Sequence, residues 1–300
     1  MAEGLRGSVK EQLRIAASAA PTSVLAGLIG SGIKASHMPV LHEQEGAAHG
    51  LAYVYRLIDL DLLGLTVAAL PELLAAARQF HFNGLNVTHP CKQSIIRFLD
   101  ELSEDALVVG AVNTVVYLSD GRAIGHNTDC SGFADSFRLE FADVRRRRVV
   151  QLGAGGAGAA VAHALISLGV GELVVLDKEQ ARADQLVFNL CSRFGSGRAI
   201  TCKDTSFAIA NADGVVNTTP VGMAKHPGIP IDPALLHPDL WISDIIYFPR
   251  ETELLRRARR IGCRTMGGGA MAVFQAVGAF RLFTGREPDV GRMIRHFQSL

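Results

Sequence analysis

Short apolar runs alternate with helical stretches along the first part of the chain. "VLAGLIG" (Val24–Gly30), "YVYRLIDL" (Tyr53–Leu60) and "GLNVT" (Gly84–Thr88) are short and rich in branched and aromatic residues, which predicts buried strands. Between them, "PVLHEQEGAAHG" and "PELLAAARQF" begin with proline and carry apolar residues at helical spacing. "AVNTVVYL" and "RAIGHNT" read as a strand pair joined by the hairpin-type turn Ser119-Asp120-Gly121, with "HNTD" ending the second strand. This alternation predicts a small α/β domain.

From Val149 the texture changes. "VVQLGAGGAGAAVAHALISLG" followed by "ELVVLD" is a βαβ unit: buried strand, glycine turn, alanine-rich helix stopped at Gly169, second buried strand. Further strands follow in "GVVNTT" and "WISDII", and "GGGAMAVFQAVGAFRLFTG" predicts a long C-terminal helix. The expected organisation is an extension over residues 1–22, a first α/β domain from 23 to 128, and a doubly wound second domain from 129.

The glycine turn supplies the first chemistry. Gly153-Ala154-Gly155-Gly156-Ala157-Gly158 follows a strand and opens a helix. Glycines there permit a tight turn and close approach of backbone to a pyrophosphate, which rests on the helix N-terminus. Asp177, at the end of the next strand, suits the two ribose hydroxyls of NAD and repels the 2′-phosphate of NADP. Lys178 and Arg182 nearby soften that repulsion, and NAD is expected over NADP.

Four polar stretches, "KASHMP", "NVTHPCK", "AVNT" and "HNTD", lie at or beyond strand ends of the first half. In open α/β sheets ligands bind there, so Ser36, Asn86, Thr88, Lys92, Asn113 and Asp129 are expected to converge on one cleft. Oxidising a secondary alcohol requires a base for its proton. Lys92 is the candidate, with Asp129 fixing its position, while the hydroxyls and amides suit a polyhydroxylated acid. Taken singly these residues have plainer readings: Ser36 as a helix cap, Asn86 and Asn113 as loop-capping amides, His89 and His126 as packing groups, Lys92 as surface.

Composition removes other classes. Basic and acidic residues nearly cancel, 30 against 29, so no nucleic-acid partner is expected, and the run Arg145–Arg148 reads as a solvated loop. Five cysteines without a CxxC pair, and scattered histidines, argue against a disulfide framework and against a metal site. A reduced, cytoplasmic setting follows, without membrane spans. Near the N-terminus "RIAASAAPTSVLAGLIG" has signal-like small and apolar residues, but Glu3 and Glu11 precede it and Pro21 interrupts it.

Together, "NVTHPCK", "GAVNT", "GHNTD", "GAGGAG", "NTTPVGM" and "MAVFQA" resemble the motifs of the shikimate dehydrogenase family, most closely its NAD-using quinate/shikimate dehydrogenase branch, in the same order from Val24 to Leu300. The resemblance implies two α/β domains, with residues 268–300 returning to the first and a Rossmann-type NAD-binding domain over 129–267. It implies a catalytic pair Lys92 and Asp129, and substrate contacts from Ser36, Thr88, Asn113, Gln275 and Tyr247. It also implies a cofactor-side loop containing Thr218, Thr219, Pro220 and Met223. The expected reaction joins a cyclic polyhydroxy acid, shikimate or quinate, to its 3-dehydro ketone, in a monomer or homodimer.

Two departures bear on the substrate. Where the family usually has S-x-[ST]-P, "SHMP" keeps Ser36 but places Met38 at the second hydroxyl position. Losing one charge-assisted hydrogen bond costs about 1.5–3 kcal/mol, roughly ten- to hundredfold in affinity, if nothing replaces it. Where the family often has D-G-x-x-M, this chain has Gly267-Gly268-Gly269-Ala270-Met271. A paralogue acting on another ring, such as an aminated shikimate, is the alternative that Met38 favours. A non-catalytic NAD sensor has no need of Lys92 and Asp129.

Overall fold

The computed structural model describes residues 22–300; all but the last residue of the expected N-terminal extension lies outside them. Two six-stranded sheets organise the chain. The first contains β1 (Ser23–Gly30), β2 (Ala52–Asp59), β3 (Gly84–Val87), β4 (Glu101–Leu102), β5 (Thr114–Tyr117) and β6 (Ala123–His126), in the order β2-β1-β3-β5-β6-β4. β1 pairs parallel with β2 and β3, whereas β3–β5 and β5–β6 are antiparallel.

The second sheet contains β7 (Arg148–Leu152), β8 (Glu172–Leu176), β9 (Ala199–Thr201), β10 (Gly214–Asn217), β11 (Trp241–Asp244) and β12 (Arg264–Met266). All its strands are parallel, in the order β9-β8-β7-β10-β11-β12. This is the 3-2-1-4-5-6 order of dinucleotide-binding sheets, and its switch point lies between β7 and β10. The central strands are buried on both faces, as near-continuous Val, Ile and Leu runs require.

"HNTD" departs from the sequence expectation. The strand stops at His126, and Thr128 and Asp129 form the first turn of the Thr128–Glu140 helix. Asn127 is the cause: its side chain accepts hydrogen bonds from the backbone N–H groups of Asp129 and Cys130, both at 3.1 Å. That cap satisfies donors that a strand would send sideways. The basic run also differs in part, since Arg148 enters β7 and pairs with Glu172, while Arg147 reaches Asp213.

The C-terminal helices Gly268–Thr284 and Val290–Ser299 share a core with β1, β2 and the Met38–Ala48 helix, through Val273, Val277, Phe280, Phe283, Met293 and Phe297. A buried carboxylate secures this return. Glu45 accepts from the Arg292 Nε and Nη2, both at 2.7 Å, from the Asp289 backbone N–H, and bonds His49. Burial alone would raise the Glu45 carboxyl, but these donors outweigh it and hold it below its ordinary range.

Two buried histidines stay neutral. Desolvation lowers His42, hydrogen-bonded to the Tyr53 hydroxyl, to about 3, and lowers His163 to about 4. The unfolded chain takes up these protons near pH 6.5, while the folded chain does so only near pH 3–4. Their contribution to stability is therefore complete above about pH 6.5 and is lost as pH falls below it. Urea unfolding at pH 7, 6 and 5 should show stability dropping by up to ~1.4 kcal/mol per pH unit per histidine. His42→Gln should flatten that slope.

Candidate active site

Both sheets turn strand ends toward one cleft. β3 ends at Val87, and the chain passes Thr88 into the single-turn helix Cys91–Ser94, which carries Lys92. Its position is fixed through its own backbone: the Thr88 N–H donates to Ile29 O, Cys91 N–H to Thr88 O, and Val112 N–H to Lys92 O. Asp129 arrives from the first turn of the capped helix, whose apolar face packs into the core of the second sheet. Lys92 Nζ donates to Asp129 Oδ2 at 2.5 Å, with the two side chains 17% and 8% exposed. A pair this shielded is little screened by solvent, and removing either partner would strand the other charge.

The wall behind the pair is a closed hydrogen-bond network. Tyr55 donates to Asn86 Oδ1 at 2.8 Å, and Asn86 Nδ2 donates to Thr114 Oγ1 and the Asn113 carbonyl. Asn113 Oδ1 accepts from the Thr128 N–H, and Asn113 Nδ2 donates to Thr128 Oγ1. Asn86 and Asn113 are thus buried beside the cleft and largely satisfied by the chain. The Thr88 γ-methyl packs on Gly30, where a Cβ would collide with it.

Ser36 accepts from the Met38 N–H at 3.3 Å and lies against Tyr247. Burial pushes the Tyr247 phenol above its ordinary range, the neighbouring Ser36 hydroxyl opposing part of the rise. Tyr247 follows β11, in a turn that buried Asp244 holds by accepting from Asn217 Nδ2, the Ile246 N–H and Thr252 Oγ1. Gln275, from the long C-terminal helix, donates Nε2 to Met38 Sδ at 3.2 Å and to Ala272 O at 2.9 Å. Cys91 and Cys130 flank the central pair, and burial raises their thiols to about 11 and about 12, so neither is a thiolate at neutral pH.

The glycine turn lies at the switch point. Gly153 has φ +100°, and a Cβ there or at Gly158 would strike Thr218 Oγ1, which donates to Leu152 O and Gly153 O. Gln151 braces the turn from beneath by donating to Gly153 O and Gly158 O. At Gly155, which opens the Gly156–Ser167 helix, a Cβ would meet nothing within 4 Å. That helix has no side-chain cap, so its first N–H groups face open space. Gly156 backs onto the Lys92 stem, with a Cβ there 3.3 Å from Lys92 Cβ.

These features fit a dinucleotide pyrophosphate. Asp177 accepts from the Ala154 and Glu179 N–H groups at 2.7 and 2.9 Å, which ties the end of β8 to the turn. Lys178 is exposed, and Arg182 pairs with Glu179 instead of turning toward the cleft. Thr219 donates to Asn217 Oδ1, while Pro220 and Met223 lie in the following loop, from which Lys225 approaches Asp61 across the cleft at 3.9 Å. Among the described residues no group of three or more His, Cys, Asp or Glu side chains is placed to hold a metal ion. No helix there is long and apolar enough to cross a membrane.

Sequence reading missed several residues that shape the site. Asn127, the cap that aims Asp129, was legible as an N-cap signal before "TDC". Tyr55 acts through Asn86, 31 positions away, and Thr114, Gln151 and Asp244 carry no local motif that marks their bonds.

A Rossmann-type nucleotide turn facing a lysine–carboxylate pair across a cleft defines a two-domain α/β dehydrogenase. Residues 28–115 match the shikimate dehydrogenase substrate binding domain. A shikimate dehydrogenase (NADP(+)) of Streptomyces avermitilis is 56% identical over 93% of this chain and 96% of that protein. A quinate/shikimate dehydrogenase (NAD(+)) of Corynebacterium efficiens is 51% identical over 93% and 99%. The structure of quinate dehydrogenase from Corynebacterium glutamicum in complex with NAD superposes with a TM-score of 0.86, at 48% identity over 93% and 99% of the two chains. The chain belongs to the shikimate dehydrogenase family.

The Asp129 and Gln275 helices cross closely at Gly132, where a Cβ would lie 2.8 Å from the Gln275 backbone nitrogen. Backbone cannot yield as a flexible side chain does. Gly132→Ala should therefore destabilise the protein by about 1–3 kcal/mol despite the better helix propensity of alanine, measured by urea or thermal unfolding.

Proposed function

We propose that this protein interconverts a cyclic polyhydroxy acid, shikimate or quinate, and its 3-dehydro ketone, using NAD in preference to NADP. The observation that carries this reading is the shielded Lys92–Asp129 pair whose lysine stem rests on Gly156 of the nucleotide turn. NAD held on the Gly153–Gly158 turn would supply the acceptor for the ring C–H hydride, and NADH the donor in the reverse direction. As the free amine, Lys92 Nζ takes the proton of the hydroxyl being oxidised, and as the ammonium it gives that proton back in reduction, while Asp129 holds the nitrogen in line. Ser36, Thr88, Asn113, Tyr247 and Gln275 bind the acid's carboxylate and hydroxyls. The names of the relatives, shikimate and quinate/shikimate dehydrogenases, support the same substrate class.

Gly153 to Gly158 hold the pyrophosphate, and Thr218, Thr219, Pro220 and Met223 form the loop beside it. NAD is favoured because Asp177 stands at the end of β8, where the extra phosphate of NADP would bring negative charge against a carboxylate. Lys178 is the countervailing cation, since Arg182 is engaged by Glu179. Relatives are named for each cofactor, NADP(+) in Streptomyces avermitilis and NAD(+) in Corynebacterium efficiens. Five free cysteines suit a reducing cytoplasm. A second reading, a relative acting on a different ring, is favoured by Met38 at the position where the family carries a second hydroxyl.

Initial rates with saturating shikimate and quinate, each with NAD and NADP, test this directly. Turnover with NAD on either acid is the expected result; absence of turnover on both, with NAD bound, would reject the substrate assignment. Lys92→Ala should retain NAD binding while turnover falls roughly 10²–10⁴-fold, and near-normal rates would reject the proton-transfer role. Asp177→Ser should raise kcat/KM with NADP relative to NAD by roughly tenfold or more, since a fixed carboxylate facing the phosphate is worth at least about 1.4 kcal/mol.

A further inference from the structure

The amide of Gln275 has only one orientation that its neighbours accept. Nε2 meets two acceptors, Ala272 O at 2.9 Å and Met38 Sδ at 3.2 Å. With the amide reversed, Oε1 would face both of them and no donor, so the surrounding network fixes the assignment. Both amide hydrogens are thereby used within the protein. What half-buried Gln275 offers the cleft is its carbonyl oxygen, an acceptor only.

The backbone makes this arrangement persistent. Gln275 sits where its helix crosses Gly132, and Met38 is buried at the first position of the Met38–Ala48 helix, ahead of Pro39. Buried Met38 cannot withdraw without disturbing a packed element. A hydroxyl in place of the thioether would be shorter and able to donate toward a ligand. The sulfur instead accepts, weakly, and directs the amide hydrogens inward.

We infer that Met38 is a specificity-determining residue which locks Gln275 as an acceptor, so that the site selects a ring bearing a hydrogen-bond donor, a hydroxyl or a protonated amine, at the position facing Gln275. This rests on the ring-acid reading above and adds the polarity that one ring position must have. A group that only accepts, such as fluorine or a keto oxygen, leaves two acceptors face to face. The same lock removes Gln275 from the donors available to the carboxylate.

The test uses shikimate and its analogues in which each hydroxyl in turn is replaced by fluorine, which is similar in size but cannot donate. Dissociation constants by calorimetry and kcat/KM are measured for the native protein, Gln275→Ala and Met38→Leu, with NAD binding as the check on folding. In the native protein, fluorine at one hydroxyl distinct from the one being oxidised should weaken binding roughly tenfold or more. That penalty should largely vanish in Gln275→Ala. It should also shrink in Met38→Leu, which conserves volume but leaves one amide hydrogen free to turn toward the ligand. A penalty unchanged in either variant, or absent at every position while shikimate itself binds and turns over, overturns the inference alone. If neither shikimate nor quinate binds or turns over, the ring-acid reading falls and this inference with it.

Discussion

The geometry of the cleft depends on one helix crossing. The Thr128–Glu140 helix sends Phe133, Phe137 and Phe141 into the core of the nucleotide-binding sheet. Its opposite face meets the long C-terminal helix through Gly132, against the Gln275 backbone, and through Gly278 of the partner helix, against the Thr128 side chain. Two glycines, one from each helix, let the backbones approach further than any side chain would allow. One rigid element thus touches both halves of the molecule and presents Asp129 at the seam. Any shift at the crossing moves Asp129 relative to Lys92, and Gln275 relative to both.

The ion pair at that seam has an electrostatic consequence. With Lys92 as the ammonium, Asp129 at 2.5 Å counters it and the pair adds no net charge to the centre of the cleft. An acidic ligand gains little there from simple charge attraction and must be held by neutral donors. Asp129 is doubly constrained, by its place in the capped first turn and by the lysine. The negative charge also sits at a helix N-terminus, where the backbone dipole favours it.

The strands and the nucleotide turn were legible because each is a local pattern: a buried run, then glycines at fixed offsets, then an alanine-rich helix. The partnership of Lys92 with Asp129 was legible only through position, since both lie just past strand ends of one α/β unit. "HNTD" reads as strand because its alternation continues that of β6, but Asn127 is also able to cap the next helix, and that signal prevails. The helix crossing left no trace. Gly132 and Gly278 are single glycines in unrelated stretches, and nothing local says that they face different parts of one junction. Met38 drew notice as a departure, but its contact with Gln275 spans 237 positions of sequence and emerges only when the C-terminal helix packs on the first sheet.

Most polar side chains around the cleft are committed to one another. Tyr55, Asn86, Thr114, Asn113 and Thr128 form a buried chain in which nearly every donor has an acceptor within the protein. Such a wall is rigid, because rotating any member would strand its neighbours without partners in a region that water does not reach. A rigid wall holds the Lys92–Asp129 pair in place without reorganising when a ligand arrives. Under the proposed function it concentrates substrate selection in the few groups left with free valence, among them Thr88, Tyr247 and the carbonyl of Gln275. Replacing one residue that touches this small set, as Met38 touches Gln275, changes what the site asks of a ligand while the proton-transfer geometry stays intact. Under the proposed function, chemistry and selectivity are thus carried by different layers of the same fold, which would let ring preference diverge while hydride transfer is kept.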